Sequence, residues 1–422
     1  MLSALTAVDL FAGAGGASLG IVKAGFDLRY AVEIDPQAAA THTAHLPGQV
    51  FQGDIRALAS REVRGLAGTR SGELDLLFAG PPCQGFSMIG PRIISDLRNT
   101  LFHEVVRAAE ALKPKAVVIE NVPGLTTLAG GKYLTAVLMG LANAGYHASC
   151  AELLAAQYGA PQMRWRLVVI AWRKDLAIPP GFGFPMPTHG HADIGDLISN
   201  VTIPPAAYKG FLTTRDAIGD LPEVGAGESN DYYTGRPRKA YQRAARHTLE
   251  GAPMPRHELH DHYAAALSGA NLARLRLIGP GEDWRDLPHD MLPPSMQRAL
   301  RKDHTRRYRR MTWDGVPRSI ITRFRDPKSG EYTHPEEHRT ISIREAARIQ
   351  GFPDWFYFTG PSTSKYTQVG NAVPVPLAQA IAAEVASCLR GEPGRVRITH
   401  PFRRRPLPYI GAHGELTDNL AA

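Results

Sequence analysis

One cysteine in this sequence has the surroundings of a reactive thiol. Cys83 lies in the motif GPPCQGFS at residues 80–87, directly after the mostly apolar run at 74–78. This is where a buried strand gives way to a loop, at the sheet edge that carries the chemistry in open α/β folds. A cysteine can also be a small core residue, but that role requires neither the two preceding prolines nor the polar loop that follows. We therefore predict that Cys83, unlike Cys150 and Cys388, is a nucleophile.

A carboxylate and two arginines could support such a thiol. Glu120 directly follows the apolar residues 117–119, and a carboxyl group beside an apolar wall tends to keep its proton, so it can donate one. A helix N-cap is the alternative role for an acidic residue at this place. Arg164 and Arg166 precede the apolar run at 167–170, and strand alternation puts both on one face. One arginine could be a structural ion-pair partner, whereas two suggest a clamp for an anion or a carbonyl group.

The segment DLFAGAGGASLG at residues 9–20 is typical of a strand-to-helix turn that binds a ligand. Its glycines let a ligand approach the backbone closely. Glu33 follows Gly13 by 20 residues, at the end of the next predicted strand, where a carboxylate can bind both hydroxyls of a ribose. Asp54 follows another strand-like piece and can accept a hydrogen bond from an adenine amino group. Because Ser18 occupies the third glycine position of the dinucleotide pattern, the turn favours S-adenosylmethionine, which has no pyrophosphate, over a nicotinamide cofactor.

Alternating strands and helices must position these motifs. The strands predicted from apolar runs lie at 4–11, 28–34, 74–78, 116–119 and 167–172, with helices between them such as 101–112. This alternation predicts an α/β fold with a doubly wound, mostly parallel, Rossmann-like sheet.

A change of composition predicts a second domain. From about residue 182 to 338, Pro, Gly, His and Arg become frequent and the strand–helix alternation is lost. A helix is predicted at 341–351, and GNAVP at 370–374 opens an apolar helix at 377–389 that we expect to pack back on the first domain's sheet. The predicted division is 1–185 plus 366–392 as catalytic and cofactor-binding domain, 186–340 as second domain, 341–365 as hinge and 393–422 as basic tail.

Charge and composition limit the function further. The 422 residues carry a net charge of +8 and a pI of about 9.4, which indicates a polyanionic partner. Basic clusters lie at 236–246, 304–310 and 395–405. Three cysteines without a CxxC pair argue against a disulfide scaffold or a zinc site. No apolar run approaches the ~20 residues of a membrane span, and the early strand leaves no room for a signal peptide. We expect a cytoplasmic protein.

With six motifs in place, the chain resembles the bacterial-type cytosine-C5 DNA methyltransferases. The motifs occur in that family's order and span everything except the tail. They lie at 9–20, 80–87, 120–122, 162–166, 344–353 and 370–374.

The resemblance implies covalent catalysis on a cytosine flipped out of duplex DNA at a specific short sequence. The thiolate of Cys83 would add to C6, Glu120 would protonate or hydrogen-bond N3, and Arg166 would hold the O2 side of the ring. Arg164 would support the loop that carries Cys83. The segment at 87–101 would close over the flipped base, although its GPR sequence at 90–92 departs from the family and stiffens it.

The resemblance also assigns ligand contacts and partners. The residues assigned to S-adenosyl-L-methionine are Phe11, Gly13, Ala14, Gly15, Gly16, Glu33, Ile34, Asp54, Ile55, Pro82, Leu101, Asn371 and Ala372. The residues assigned to double-stranded DNA are Gln84, Ser87, Arg98, Arg306, Arg307, Arg309 and Arg310. We expect a nucleoid-associated monomer without membrane contact. It would be an orphan methylase or the modification half of a restriction-modification system, with a companion endonuclease acting on the same site.

Several alternatives stay open at this point. A tRNA cytosine methyltransferase would use the same catalytic parts, but the long basic insert between Arg166 and Arg344 disfavours it. A nicotinamide oxidoreductase would have no use for Cys83, and an inactive DNA-binding protein would have no physical reason to keep the catalytic set. His257, His260 and His262 match no standard set of metal ligands, so we predict no metal site. By the resemblance, residues 186–340 occupy the place of the family's target-recognition domain. They show no motif that can be interpreted residue by residue, so the recognised sequence is not predicted.

Overall fold

A seven-stranded sheet organises the first part of the chain. The computed structural model describes residues 4–82 except 69, 101–190 except 180, 209–298 except 256 and 257, 307–392, 408–410 and 416–418. The strands are β1 Leu5–Leu10, β2 Phe26–Glu33, β3 Gln49–Gln52, β4 Leu76–Ala79, β5 Ala116–Asn121, β6 Tyr146–Leu154, β7 Trp165–Arg173, β8 Pro408–Ile410 and β9 Leu416–Asp418. The last two form a separate antiparallel pair.

Twelve α-helices occur in the part of the chain that the structure describes, beside short 3-10 helices. They are α1 Gly16–Lys23, α2 Pro36–His45, α3 Ser60–Ala67, α4 Leu101–Leu112, α5 Lys132–Asn143, α6 Thr214–Ile218, α7 Ala240–Ala245, α8 Gly269–Leu277, α9 Pro294–Arg298, α10 Ile343–Gln350, α11 Ser362–Asn371 and α12 Val375–Leu389. The helices predicted at 101–112, 341–351 and 377–389 are therefore confirmed as α4, α10 and α12.

The strand order in the sheet is β3-β2-β1-β4-β5-β7-β6. The first five strands run parallel, whereas β7 runs antiparallel to both of its neighbours. This confirms the predicted α/β fold with a mostly parallel sheet. The strand predicted at 167–172 is present, but its reversed direction was not predicted, since an apolar run carries no information about direction. β6 was missed because polar residues such as His147, Ser149 and Glu152 interrupt its apolar pattern.

The core of the sheet lies at β4 and β5. Every residue of these two strands is buried, as expected for central strands that are covered on both faces. Leu77 and Val117 belong to a cluster of buried side chains that also contains Val105 and Leu112 of α4. Burying such side chains stabilises the fold by about 1.5–3 kcal/mol each.

The late helix α12 packs against α1, near the start of the chain. The two helices approach closely at Gly20, where a Cβ atom would lie only 2.8 Å from the carbonyl oxygen of Val375 and 2.6 Å from the backbone nitrogen of Gln379. The apolar side chains of Leu377 and Ile381 are fully buried. The return of this segment to the first unit is thus confirmed, with α1 as a principal partner.

The chain divides into two compact units. The first comprises Met1–Gly159, Trp165–Gly210 and Val373–Ala422, and the second comprises Ala160–Arg164 and Phe211–Ala372. The segment 341–365, predicted as a hinge, lies within the second unit. No single helix among the described residues is long and apolar enough to cross a membrane. The bent pair of α11 and α12 meets the requirements of length and apolar composition only when the two helices are taken together.

Candidate active site

The carboxyl edge of the sheet brings Glu120 beside the chain that leads to Cys83. β4 ends at Ala79, and the backbone N–H of Gly80 donates to the carbonyl oxygen of Leu10 at 3.2 Å. Asn121 holds the next residue, because its Nδ2 donates to the carbonyl oxygen of Pro81 at 2.8 Å. Cys83, Gln84, Ser87 and Arg98 lie outside the described residues, so their predicted roles stay predictions.

Glu120 and Arg166 form an ion pair at this edge. The Nε atom of Arg166 lies 2.5 Å from Oε1 of Glu120, and the two side chains are only 12% and 10% exposed. Among the described residues, that oxygen accepts no hydrogen bond of good geometry. The second carboxylate oxygen, Oε2, faces Gly80 and would lie 3.9 Å from a Cβ atom there. A nearly buried ion pair is costly to maintain for stability alone, which makes this pair a candidate for function.

The antiparallel direction of β7 makes this pair possible. In the register, Glu120 lies opposite Val168 and Asn121 opposite Leu167. The amino end of β7 therefore lies at the same edge as the carboxyl end of β5, and Arg166 comes next to Glu120. The Nη1 atom of Arg166 also donates to the carbonyl oxygen of Trp165 at 2.7 Å.

Arg164 contacts three backbone carbonyl groups. Its guanidinium is buried and donates to the carbonyl oxygens of Ile320, Gly370 and Ala372, the latter two at 3.2 and 3.4 Å. These acceptors all belong to the second unit, as does Arg164 itself. Arg166 thus meets a carboxylate, whereas Arg164 holds backbone segments together. Because residues 83–100 lie outside the described residues, the support of the Cys83 loop by Arg164 and the clamp of two arginines stay predictions.

The glycine-rich turn at residues 11–15 has a backbone that favours glycine. Gly13 and Gly15 adopt positive φ angles of 58° and 103°. Phe11 also has a positive φ, 61°, which is strained for an aromatic residue and tends to occur at functional sites. Apart from its two chain neighbours, no described residue has an atom within 4 Å of the position that a Cβ of Gly13 would take, so the backbone there is open to a ligand.

Glu33 and Ile34 flank this turn at the end of β2. The Oε2 atom of Glu33 accepts from the N–H of Gly13 at 2.7 Å, and Oε1 accepts from the N–H of Asp35 at 2.7 Å. Burial raises the pKa of Glu33, against the effect of these hydrogen bonds. Ile34 is 63% exposed, an unusual place for a large apolar side chain. A carboxylate beside an exposed apolar surface suits a nucleoside, whose ribose is polar and whose base is flat.

The other residues predicted to bind the cofactor differ in their surroundings. Hydrogen bonds from the guanidinium of Arg56 hold the carboxylate of Asp54, at 3.0 Å to Nε, and lower the pKa of that carboxyl group. Ile55 is a core residue with 2% exposure, and its assignment to the cofactor stays a prediction. Leu101 packs half-buried on the same core cluster.

The remaining predicted cofactor residues lie at the ends of elements. Ala14 is buried, Gly16 begins α1 and Pro82 is exposed. Asn371 is the exposed last residue of α11, and the buried Ala372 follows it in the second unit.

A buried hydrogen-bonded chain below the glycine-rich turn was not predicted. The hydroxyl of Ser18 donates to Oδ2 of Asp9 at 2.5 Å, and Nε2 of His42 lies 2.9 Å from the same hydroxyl. Burial, reinforced by the charge of Glu33, raises the pKa of Asp9 to about 7, although hydrogen bonds from Ser18 oppose this shift. Burial lowers the pKa of His42 to about 4. Asp9 and Ser18 belong to the recognised motif, but nothing in the sequence of α2 singles out His42.

The predicted DNA-binding arginines have unequal surroundings. Arg310 is 2% exposed, and its guanidinium donates to the carbonyl oxygens of Leu275, Ile278, His334 and Glu337. A side chain with all its donors occupied in the interior cannot contact DNA, so this prediction is wrong for Arg310.

Its neighbours are more accessible. Arg309 is about one-third exposed and lies 3.5 Å from Asp283 and 3.4 Å from Glu331. Arg307 is half-buried, and Arg306 lies outside the described residues. DNA binding by these three residues stays a prediction.

The predicted motif at 344–353 forms the buried frame of the second unit. Arg344 donates to the carbonyl oxygens of His260, Pro353 and Phe356 at 2.8–3.0 Å. Arg348 forms a buried pair with Asp354, with its Nε 2.8 Å from Oδ1. All polar side chains of α10 are buried, so the motif serves structure.

One cluster in the second unit has the composition of a metal site. His334 lies 3.3 Å from Glu337 and 3.7 Å from Glu345. Arg339 donates to both carboxylates at 2.7–3.0 Å and neutralises their charge, so the cluster is an ion-pair network. Of the three histidines at 257–262, His262 has a buried ring within hydrogen-bonding distance of Ser342 and of the carbonyl oxygen of Pro222, and His257 lies outside the described residues.

Comparisons with known proteins agree with this geometry. The sequence profile of the C-5 cytosine-specific DNA methylase family matches residues 5–387. Type II methyltransferase M.XorII of Xanthomonas oryzae is 34% identical over 397 residues, which cover 92% of this chain and 85% of that protein. DNA (cytosine-5)-methyltransferase 1 of Mus musculus is 31% identical over 92% of this chain and 28% of its own length.

Solved structures give the same assignment. A protein described as a DNA modification methyltransferase encoded within a prophage (E. coli) superposes with a TM-score of 0.69 at 25% identity, covering 92% of this chain and all of that one. The Dnmt2 methyltransferase of S. pombe shares the fold, with a TM-score of 0.54 at 16% identity over 92% of this chain and 99% of its own. The chain therefore belongs to the C-5 cytosine-specific DNA methylase family and is a DNA (cytosine-5-)-methyltransferase.

Proposed function

We propose that this DNA methyltransferase acts by covalent catalysis, with Cys83 as its nucleophile. The observation that carries the proposal is the Glu120–Arg166 ion pair, which lies beside Gly80 and Pro81, the residues that lead to Cys83. Carbon 5 of cytosine is a poor nucleophile, and a thiolate that adds to C6 makes it enamine-like. Glu120 would hydrogen-bond or protonate N3, and Arg166, oriented by its ion pair, would hold O2.

The steps balance around the ring. The sulfur–C6 bond forms while N3 takes a proton or hydrogen bond from Glu120. C5 then bonds to the methyl group, and the bond from that methyl to the donor's sulfur breaks to leave a neutral thioether. A base removes the proton at C5, the sulfur–C6 bond breaks to release Cys83, and N3 returns any proton it took to Glu120. We assign none of the described residues to that base.

We infer that the methyl donor is S-adenosyl-L-methionine, bound at the glycine-rich turn. When bound, it supplies an electrophilic methyl group on a sulfonium. The open backbone at Gly13 leaves room for such a ligand, and the carboxylate oxygens of Glu33 have further lone pairs for ribose hydroxyls. Ile34 offers an apolar surface to adenine. Asp54 would have to exchange its contact with Arg56 for one with the adenine amino group.

We further infer a specific short target in double-stranded DNA. The target cytosine must leave the duplex for a thiol to reach C6, at a cost of about a few kcal/mol. We assign recognition to the second unit and expect the protein to act as a monomer on the nucleoid in the cytoplasm. M.XorII, and M.Eco47II of Escherichia coli, are named Type II methyltransferases, which favours a link with a companion endonuclease.

Bisulfite sequencing of plasmid DNA from expressing cells tests the reaction and its target together. We expect protected cytosines within one short sequence for the wild-type protein and none for Cys83→Ala. Folded protein that protects no cytosine would contradict the proposal and would favour an RNA substrate or an inactive scaffold.

The covalent step has a test of its own. A duplex with 5-fluorocytosine at the target should trap the enzyme, since fluorine cannot leave C5 as the proton does. We expect a complex that survives denaturing electrophoresis for the wild type and for Cys150→Ala, whose buried cysteine is the matched control. The same complex with Cys83→Ala would refute the assignment of Cys83.

A further inference from the structure

The chain of Asp9, Ser18 and His42 links three elements around the glycine-rich turn. Asp9 lies near the end of β1, Ser18 in the first turn of α1 and His42 in α2. All three side chains are at most 1% exposed. The contacts of 2.5 and 2.9 Å leave no room for water between them. Hydrogen bonds to a carboxylate in such an interior are stronger than those between neutral groups at the surface.

The direction of the hydrogen bonds follows from the number of protons. When Asp9 is ionised, the one hydroxyl proton of Ser18 goes to its carboxylate, so Ser18 accepts its second bond from Nε2–H of His42. The ring is then neutral, with an unprotonated Nδ1. This Nδ1 atom is buried and has no hydrogen-bond partner among the residues that the structure describes. His42 thus contributes to the hydrogen-bonded chain through the bond that its Nε2–H donates to Ser18.

The same ring packs directly against the turn. A Cβ atom on Gly15 would lie 3.1 Å from Cδ2 of His42 and 2.4 Å from Cδ1 of Leu46. The positive φ of Gly15 and its N–H bond to the carbonyl oxygen of Ala12, at 3.0 Å, give the turn its shape. The hydrogen-bonded chain fixes the position of His42, and the His42 ring fixes the underside of the turn.

We propose that Ser18 and His42 are positioning residues for the nucleoside sulfonium ligand. They hold the glycine-rich turn in the shape that leaves Gly13 open, and so they set the affinity for the methyl donor and for its thioether product. Neither residue touches the target base in this assignment, so the chemical step keeps its rate once the donor is bound. The inference rests on the proposed cofactor site.

The test compares two substitutions of one residue. His42→Gln keeps an N–H donor near the position of Nε2, whereas His42→Asn is too short to reach Ser18. Ser18→Ala removes the link itself. Thr43→Ala is the matched control on α2, since its hydroxyl is exposed and bonds only to the carbonyl oxygen of Ala39. Calorimetric titration with S-adenosylmethionine and with its demethylated product gives both affinities, and turnover is measured at saturating donor.

We expect affinities for both ligands to fall about tenfold in His42→Asn and Ser18→Ala, as for loss of one buried hydrogen bond. His42→Gln and Thr43→Ala should stay within about threefold of the wild type, and turnover at saturating donor should stay within about twofold in all four. Amide hydrogen exchange of residues 11–16 in ligand-free protein should be faster in His42→Asn than in the wild type. It should be unchanged in His42→Gln. This measurement does not depend on activity.

Three results would overturn the inference. Wild-type affinity in folded His42→Asn would show that the hydrogen-bonded chain does not shape the site. An equal loss in His42→Gln would mean that packing of the ring, and not its donor, matters. Wild-type protein that binds neither ligand would contradict the cofactor site itself, and the inference with it. If Ser18→Ala does not fold, the comparison of the two His42 variants decides alone.

Discussion

The raised pKa of Asp9 should make the stability of the first unit depend on pH. Burial raises this pKa from 3.8 to about 7. Between these values the native carboxyl group keeps its proton while the unfolded one has lost it. The free energy of unfolding therefore falls as the pH rises, and the stabilisation is lost above about pH 7.

The magnitude follows from the size of the shift. One pKa unit corresponds to about 1.36 kcal/mol. Most of the interval between the unfolded and the native pKa of Asp9 falls within the range from pH 5 to pH 8.5. Over that range Asp9 should remove about 3 kcal/mol from the free energy of unfolding. Asp9→Asn cannot ionise and should lack this loss. Any constant cost of the amide cancels when the variant is compared with the wild type at both pH values.

Native-state hydrogen exchange of the slowest amides in β1 and β4 measures the unfolding of the first unit by itself. Rates are corrected for the intrinsic effect of pH and compared between wild type and Asp9→Asn. We expect the variant to gain about 3 kcal/mol relative to the wild type on going from pH 5 to pH 8.5. A difference that stays constant with pH would refute the reasoning, because Asp9 would then be ionised at both pH values.

Three further predictions concern packing and the glycine-rich turn. Arg310→Lys should lower the free energy of unfolding in urea by about 3 kcal/mol or more, because an ammonium cannot reach four buried carbonyl groups. The control Arg309→Lys should lower it by less than about 1 kcal/mol. Equal losses in the two variants would restore a surface role for Arg310. Gly20→Ala should lower stability by about 1–3 kcal/mol, because its Cβ meets the backbone of α12, and an unchanged urea midpoint would contradict that close approach. Gly13→Ala and Gly25→Ala, both at positive φ in open space, should each cost about 1 kcal/mol in urea unfolding. In calorimetry only Gly13→Ala should weaken binding of S-adenosylmethionine, and equal affinities would place the ligand elsewhere.

Much of the fold was predictable because central strands and helices carry strong local signals. β4 and residues 116–119 of β5 are continuous apolar runs, and α4 ends where its pattern predicted. The direction of β7 was not predictable in this way, since the same apolar residues suit either direction. That direction nevertheless determines how Arg166 reaches Glu120.

The site was predicted in part for a similar reason. Glu33 is the last residue of β2 and Glu120 the last but one of β5, so their places at the sheet edge could be inferred from local sequence. The role of an arginine depends on which groups the tertiary structure brings to it. Arg164 and Arg310 bind carbonyl groups distant in sequence, and no local pattern distinguishes them from Arg166 or Arg309. His42 was missed because it acts through Ser18, with which it shares no sequence pattern.

The packing of α12 on α1 has a consequence for synthesis on the ribosome. Val375 follows Lys23 by about 350 residues, so α1 is made long before its partner. At about 5–20 residues per second, roughly 20–70 s separate the two helices. During that time the face of α1 at Gly20, which lies against α12 in the native protein, lacks this cover. The nascent chain should therefore offer a binding site to chaperones until α12 emerges.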